Sequence, residues 1–159
     1  IYVYSKSGST WQPMGQINAN DRSLNAEFGS SVVFNGSELV VSAPGANKAY
    51  VFRQNGNNWV FAFAISSPCI DCGFGEAMAV SDTHLAIGAP NKGSNGEAYL
   101  YQIASTTASL EKTFVSDGFD SIEKLGSSIQ FINPTQIAVG APGTAGSNSS
   151  VGKVLLFDL

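Results

Sequence analysis

The sequence contains few charged residues, one histidine and two cysteines in 159 positions. Charged residues make up 13% of the chain, about half the share of roughly 25% that is usual in globular domains. Because the net charge is −4, no basic surface can neutralise phosphates, and we expect no nucleic-acid partner. The longest apolar run, Trp59–Ile65, has seven residues. A membrane-spanning helix needs ~20, so we expect no membrane insertion.

The chain begins with neither a methionine nor a signal peptide, which predicts a processed protein or an excerpt of a longer one. Its apolar fraction of 43% is sufficient for a folded core within one domain of ordinary size. Uncharged polar residues and glycine take the place of charge, with 21 Ser, 12 Asn and 17 Gly.

Three segments of the chain repeat one pattern in register. Each begins with a large apolar residue followed by glycine, at Phe28, Phe74 and Leu125. An apolar strand then ends in Ala-Pro, at distances of 16, 16 and 17 residues from that first residue. A strand of aromatic and aliphatic residues follows. Internal repeats of this kind decide the architecture before any single residue does.

Each repeat predicts four short antiparallel strands. The second strand is a continuous apolar run, such as Leu85–Ile87, which is typical of a strand buried on both faces. Fourth strands are expected at Trp59–Ile65 and Ala108–Val115, and dipeptides such as Asn35-Gly36 predict tight turns. No segment has a sustained period of 3.6, so we expect about 13 strands and almost no helix. Four-stranded sheets that recur every ~40–50 residues favour a β-propeller, and a β-solenoid is the main alternative.

The pairing of Phe-Gly with Gly-Ala-Pro and a following Ala-Tyr-Val-Phe strand resembles the FG-GAP repeat of integrin α-chain propellers. The similarity is greater to the simpler FG-GAP repeats of bacterial and protist surface proteins. It covers residues 1–159 as a single propeller segment, with a partial blade over 1–27 and repeats starting near 28, 74 and 125. The resemblance implies a propeller, usually of seven blades, that serves in extracellular adhesion, binding or scaffolding.

The sequence also departs from the integrin pattern. Integrin-type repeats often carry an Asp-rich calcium loop between the first two strands, but the matching turns here, such as Asn35–Glu38, lack the several oxygen ligands of a calcium site. We therefore expect no metal at these turns and no cofactor. Ser42 replaces the glycine of the first Gly-Ala-Pro.

Cys69 and Cys72 form a CxxC motif in the segment between two repeats. We expect a local disulfide, because the surroundings are all-β and no helix start is present to activate a thiol. One CxxC is half of a zinc site, so zinc shared between chains and redox chemistry are the alternatives. A disulfide would indicate an extracellular location.

The histidine, His84, follows Ser81 and Asp82 in one turn. Residues crowded into a single tight turn cannot be aimed at one substrate atom as a catalytic triad requires. We expect a solvated turn and no catalytic residue anywhere in the chain.

Two Asn-x-Ser sequons, at Asn35 and Asn148, lie in predicted surface loops and are glycosylation candidates. Asp117, Asp120 and Glu123 form an acidic stretch that we interpret as a solvated linker, with a calcium site as the alternative.

Three aromatic residues, Trp11, Trp59 and Tyr101, could form a sugar-stacking surface, although most occupy strand positions that the core needs.

These observations predict a non-catalytic, extracellular structural or adhesion module that acts through propeller surfaces and subunit contacts. The alternative is a ligand- or carbohydrate-binding accessory propeller of a larger secreted enzyme. The expected partners are other protein subunits or the remainder of a longer repeat chain, and a glycan or cell-surface ligand. We do not expect this chain to close a ring alone, because three repeats are fewer than the about four to eight blades of a propeller. Its outer sheets should then expose apolar faces.

Overall fold

The computed structural model describes residues 1–116, 123–143 and 152–159. Within these residues the chain forms thirteen β-strands and one 3-10 turn at Pro44–Ala46. The predicted all-β fold is therefore confirmed.

The strands form four antiparallel sheets, and each sheet is a meander of consecutive strands. The amino-terminal hairpin consists of β1 (Tyr2–Ser7) and β2 (Thr10–Gln16). Sheet A consists of β3 (Val32–Phe34), β4 (Glu38–Ala43), β5 (Lys48–Asn55) and β6 (Asn58–Ser66). Sheet B consists of β7 (Met78–Val80), β8 (His84–Ala89), β9 (Glu97–Ile103) and β10 (Ala108–Phe114). Sheet C consists of β11 (Ser128–Asn133), β12 (Gln136–Ala141) and β13 (Lys153–Asp158).

The second strand of each repeat ends immediately before a proline, because proline has no N–H to donate to the ladder. Accordingly β4, β8 and β12 stop at the residues that precede Pro44, Pro90 and Pro142. The expected fourth strands of the first two repeats are present as β6 and β10. In the described part of sheet C the first three strands are present, and they pair in the order β11-β12-β13.

The sheets pack face to face in chain order, and three apolar clusters hold them together. Between the hairpin and sheet A the cluster contains Ile17, Ala19, Ala26, Val41, Ala43, Tyr50 and Phe52. Between sheets A and B it contains Val40, Ala49, Val51, Phe63, Ile65, Phe74, Leu85, Ile87, Tyr99 and Tyr101, among others. Between sheets B and C it contains Ala86, Ala98, Leu100, Phe114, Leu125, Ile137, Val139 and Ala141. Each pair of neighbouring sheets therefore shares its own core.

Sheets A and B are buried on both faces, as their apolar second strands predicted. Neighbouring residues of a strand point to opposite faces, and Val40 and Val41 are both fully buried, in different clusters. We call the face that a sheet turns toward the following sheet its forward face, and the opposite one its rear face. On the third strands the forward positions are aliphatic, as at Val51, whereas the rear positions are mainly aromatic, as at Tyr50.

Sheet C differs from this expectation, because the forward face of its second strand is only partly buried. Ile137 and Val139 are fully buried against sheet B. Ala138, which points forward, is half-buried. No sheet in the described part of the chain covers that forward face.

Glycines permit the close approach of neighbouring sheets. A Cβ atom on Gly88 would lie 2.0 Å from the carbonyl oxygen of Gly126 in the next repeat, and one on Gly126 would lie 2.4 Å from the carbonyl oxygen of Glu97. Gly126 also has a φ of 93°, which glycine adopts without strain. At the junction of sheets B and C, Gly88 and Gly126 therefore allow close contact between the two backbones.

Candidate functional site

The two cysteines form a disulfide in the segment that joins β6 to β7, with their Cα atoms 5.9 Å apart. The backbone N–H of Asn91 donates to the carbonyl of Cys72 at 2.9 Å. From the other side, the backbone N–H of Asp71 donates to Asn47 Oδ1 at 3.1 Å. Because Asn47 precedes β5 and Asn91 follows β8, the bridged segment is tied to sheets A and B. This arrangement supports a structural disulfide at their junction.

The turn that holds the histidine does not bring the Ser81 hydroxyl to the imidazole. His84 Nδ1 lies 2.8 Å from Thr83 Oγ1, and Nε2 lies 2.9 Å from Glu111 Oε2. The hydroxyl of Ser81 instead donates to the backbone carbonyl of His84 at 3.3 Å. A triad needs the nucleophile's hydroxyl on a ring nitrogen, so Ser81 is not placed to act as the nucleophile of a triad with His84.

Asn35, one of the two sequon asparagines, organises the turn between β3 and β4. Its Oδ1 accepts hydrogen bonds from the backbone N–H groups of Ser37 and Glu38 at 3.0 and 2.8 Å. Its Nδ2 donates across to the carbonyl of Ser81 in sheet B at 2.9 Å. Nδ2 is the atom that glycosylation modifies, so a glycan at Asn35 would be attached at the atom that makes this inter-sheet hydrogen bond. Glycosylation of Asn35 stays a prediction.

Three of the predicted site residues, Asn148, Asp117 and Asp120, lie outside the described residues. The third acidic residue, Glu123, is buried, and its Oε1 accepts a hydrogen bond from Lys153 Nζ at 2.8 Å. Glu123, the one acidic residue of this stretch that the structure describes, therefore forms an ion pair with Lys153.

A second inter-sheet contact was not predicted from the sequence. Arg53, at the end of β5, pairs with the buried carboxylate of Glu38 and also donates to the carbonyl of Ala104 in sheet B at 2.8 Å. The guanidinium lies over the ring of Phe63, 5.6 Å from its centroid. Glu38 and Arg53 stand 15 positions apart in the sequence, on neighbouring strands, and only the register of β4 on β5 brings them together.

Several ionisable groups have shifted pKa values where sheets meet. Burial raises the pKa of Tyr101 to about 12, and burial also raises the pKa of Tyr50 and Tyr99. Hydrogen bonds from Lys48 and then from Tyr50 lower the pKa of Asp21. The tyrosines belong to the packed interfaces between sheets, so their shifts reflect burial in the core.

The forward face of sheet C exposes apolar side chains that its repeat equivalents bury. Val154 and Leu156 on β13 are 67% and 64% exposed. The corresponding pair on β9, Ala98 and Leu100, is 0% and 1% exposed, because sheet C covers it. We call Ala138, Val154 and Leu156 the forward patch.

A concave space adjoins the forward patch. It has a volume of about 460 Å³ and lies among Ser127, Gly140, Pro142 and Val154. In sheet B the position equivalent to Gly140 is Gly88, and the backbone of Gly126 from the next repeat lies against it. The space therefore corresponds to the place where an interior sheet receives the glycine of the repeat that follows.

The rear face of the hairpin is exposed in the same way and is aromatic. Tyr2 and Tyr4 are 69% and 55% exposed, whereas their equivalents on β5, Tyr50 and Phe52, are buried. Trp11 is exposed on the same face, because it pairs with Lys6, two residues beyond Tyr4 on β1. We call Tyr2, Tyr4 and Trp11 the aromatic patch.

Of the three aromatic residues considered for sugar stacking, Trp11 alone is exposed. Trp59 is half-buried and packs edge-on against Phe34 with ring centroids 5.6 Å apart, and Tyr101 is buried. The sequence predicted exposed apolar faces on the outer sheets but did not identify Tyr2, Tyr4, Val154 and Leu156. Alignment of the third strands contains that signal, since it shows which position points to which face.

Comparison with known proteins identifies no relative. No protein-family model matches the chain, and no curated protein matches it significantly. Among the described residues, no helix is both long and apolar enough to cross a membrane. The same residues contain no cluster of three or more His, Cys, Asp or Glu side chains arranged to hold a metal ion.

Proposed function

We propose that this chain is a non-catalytic, extracellular structural or adhesion module that acts through the two end faces of its stack of sheets. The observation that carries this proposal is the exposure of the forward patch and the aromatic patch at positions where interior repeats are buried. Soluble proteins rarely expose contiguous apolar faces unless those faces bind something. Both faces belong to rigid sheets, which suits a contact surface.

Two further observations support the proposal. The short first strands are neighbours, with β7 beside both β3 and β11, as expected for blades arranged around the axis of a propeller. The FG-GAP resemblance implies such a propeller and an adhesive or scaffolding role. The disulfide of Cys69 and Cys72 suits an oxidising, extracellular environment.

Photo-crosslinking tests the proposal. A benzophenone amino acid placed at Leu156, in the forward patch, should crosslink to extracellular proteins of the producing cells. The same group at Leu110, which is 49% exposed on β10, serves as the matched control. Equal crosslinking from both positions, or none from position 156, would contradict the proposal.

A second candidate function is carbohydrate binding as an accessory domain of a secreted enzyme. The aromatic patch favours it, because three exposed rings on one face provide a stacking surface. A glycan array probed with the chain distinguishes the two functions. Glycan binding that is lost in a Trp11→Ala variant would favour this candidate, and an array without binding would favour the structural module.

A further inference from the structure

We propose that the forward patch of one molecule binds the aromatic patch of a second copy of this chain, so that copies associate head to tail. The inference rests on the proposed function and names the partner of its end faces. It follows from the way in which the chain already packs its own sheets.

Each interior interface joins an aliphatic forward face to a mainly aromatic rear face. Val51 of sheet A lies in one cluster with Tyr99 and Tyr101 of sheet B. Leu100 of sheet B, in the same way, lies in a cluster against which Phe157 of sheet C packs. The complementarity is thus a property of the repeat and occurs more than once within the chain.

The two end faces are halves of that same interface that no sheet covers within the described residues. Val154 and Leu156 take the forward positions of β13, and Tyr2 and Tyr4 take the rear positions of β1. All four side chains are at least 55% exposed, so the two faces do not cover each other within one molecule. A second copy presents the missing half at the opposite end of its stack.

Charge complementarity supports the same pairing. Arg53 of sheet A follows the forward residue Val51 by two positions on β5. Its guanidinium donates to the carbonyl of Ala104, in the turn between β9 and β10 of the next sheet. The equivalent residue on β13 is Asp158, which is exposed. The equivalent turn in the hairpin follows Lys6, which is also exposed. Head-to-tail contact therefore brings a carboxylate toward an ammonium group.

The contact differs from the interior interfaces in one respect. The hairpin supplies two strands where an interior sheet supplies four, so it covers a smaller part of the forward face. We therefore expect reversible association that depends on concentration. Because the two patches are different surfaces, the contact is heterologous, and successive copies close into a ring or continue as an open chain according to the rotation between them.

Sedimentation equilibrium of the 159-residue chain and three variants tests the inference. Leu156→Glu places a charge in the forward patch, and Tyr4→Glu places one in the aromatic patch. Both positions are exposed in the single molecule, so the fold should tolerate these substitutions. Leu110→Glu is the control, since it makes the same substitution at an exposed position outside both patches.

The mass of the wild-type chain should rise with concentration above 16.6 kDa. Each patch variant should weaken association by more than about tenfold, because a buried apolar contact is replaced by a charge. The control should associate like the wild type. An equimolar mixture of the two patch variants retains one intact interface per pair, so it should form dimers and nothing larger.

Three results would overturn the inference: a wild-type chain that stays monomeric, patch variants that associate like the wild type, or patch variants that fail to dimerise when mixed. These results leave the proposed function open, since crosslinking from position 156 to other extracellular proteins would still support it. Conversely, self-association of the pure chain without crosslinks in the extracellular fraction would contradict the proposed function alone.

Discussion

Substitution of Gly88 by alanine is expected to destabilise the chain strongly, because it separates sheets B and C. The added Cβ would lie 2.0 Å from the carbonyl oxygen of Gly126. A carbon and a carbonyl oxygen in favourable contact stand about 3.3 Å apart or more. The two backbones must therefore move apart by roughly 1.3 Å, and neither can rotate away as a side chain would.

The magnitude follows from the cluster that this movement would open. Leu100, Leu125, Ile137 and Val139 are almost fully buried between the two sheets. A radial gap of 0.5–1 Å forfeits about a quarter to a half of the dispersion energy of each contact. Overpacking of a well-packed core costs about 1–3 kcal/mol. We expect a loss of about 3 kcal/mol in the free energy of unfolding, at the upper end of that range, because the obstacle is backbone.

Gly140→Ala is the matched control, since Gly140 occupies the same position in the next repeat. Its Cβ would meet the hydroxyl of Ser128, an exposed side chain that can rotate away. Alanine also restricts the unfolded chain, which contributes about 0.4–1 kcal/mol of stability when the native backbone accepts it. We expect a change within about 1 kcal/mol.

Urea denaturation followed by circular dichroism measures both variants at a concentration at which the chains are monomeric. The reasoning would be refuted by a free energy of unfolding for Gly88→Ala within about 0.5 kcal/mol of the wild-type value, which is the range of a neutral surface substitution. Equal losses for both variants would also refute the argument, because the repeat position and not the neighbouring sheet would then set the cost.

Three further predictions concern the disulfide, the inter-sheet core and the buried tyrosines. Alkylation without reductant should leave the intact mass unchanged, and Cys69→Ser with Cys72→Ser should cost about 2 kcal/mol by loop entropy; modification of two thiols in the native chain would disprove the disulfide. Leu100→Ala should cost about 2–5 kcal/mol, whereas Leu156→Ala, its exposed repeat equivalent, should cost less than about 0.5 kcal/mol; equal losses in urea denaturation would argue against the assignment of faces. Because folding raises the pKa of Tyr101 from 10 to about 12, stability should be retained below pH 10 and should fall as the pH rises toward 12. Tyr101→Phe should reduce that slope in denaturation curves measured across this range, and an unchanged slope would contradict it.

The repeats alone predicted the strands of this protein and where they end. Apolar runs such as Leu85–Ile87 became central strands, and proline ended each one, since it cannot donate to a ladder. These features depend on neighbours within one repeat, so a single sequence contains them.

The tertiary structure decided which faces of those strands are covered. Leu100 and Leu156 occupy the same position in similar strands, yet one is buried and the other exposed, because among the described residues a following sheet covers Leu100 alone. In the same way, Tyr50 is buried because the hairpin covers the rear face of sheet A, whereas the equivalent Tyr2 is exposed. Likewise, Arg53 reaches Ala104 only because sheets A and B stack. Burial and inter-sheet contacts depend on the order in which the sheets stack. The local sequence pattern does not encode whether a given sheet face is covered by another sheet.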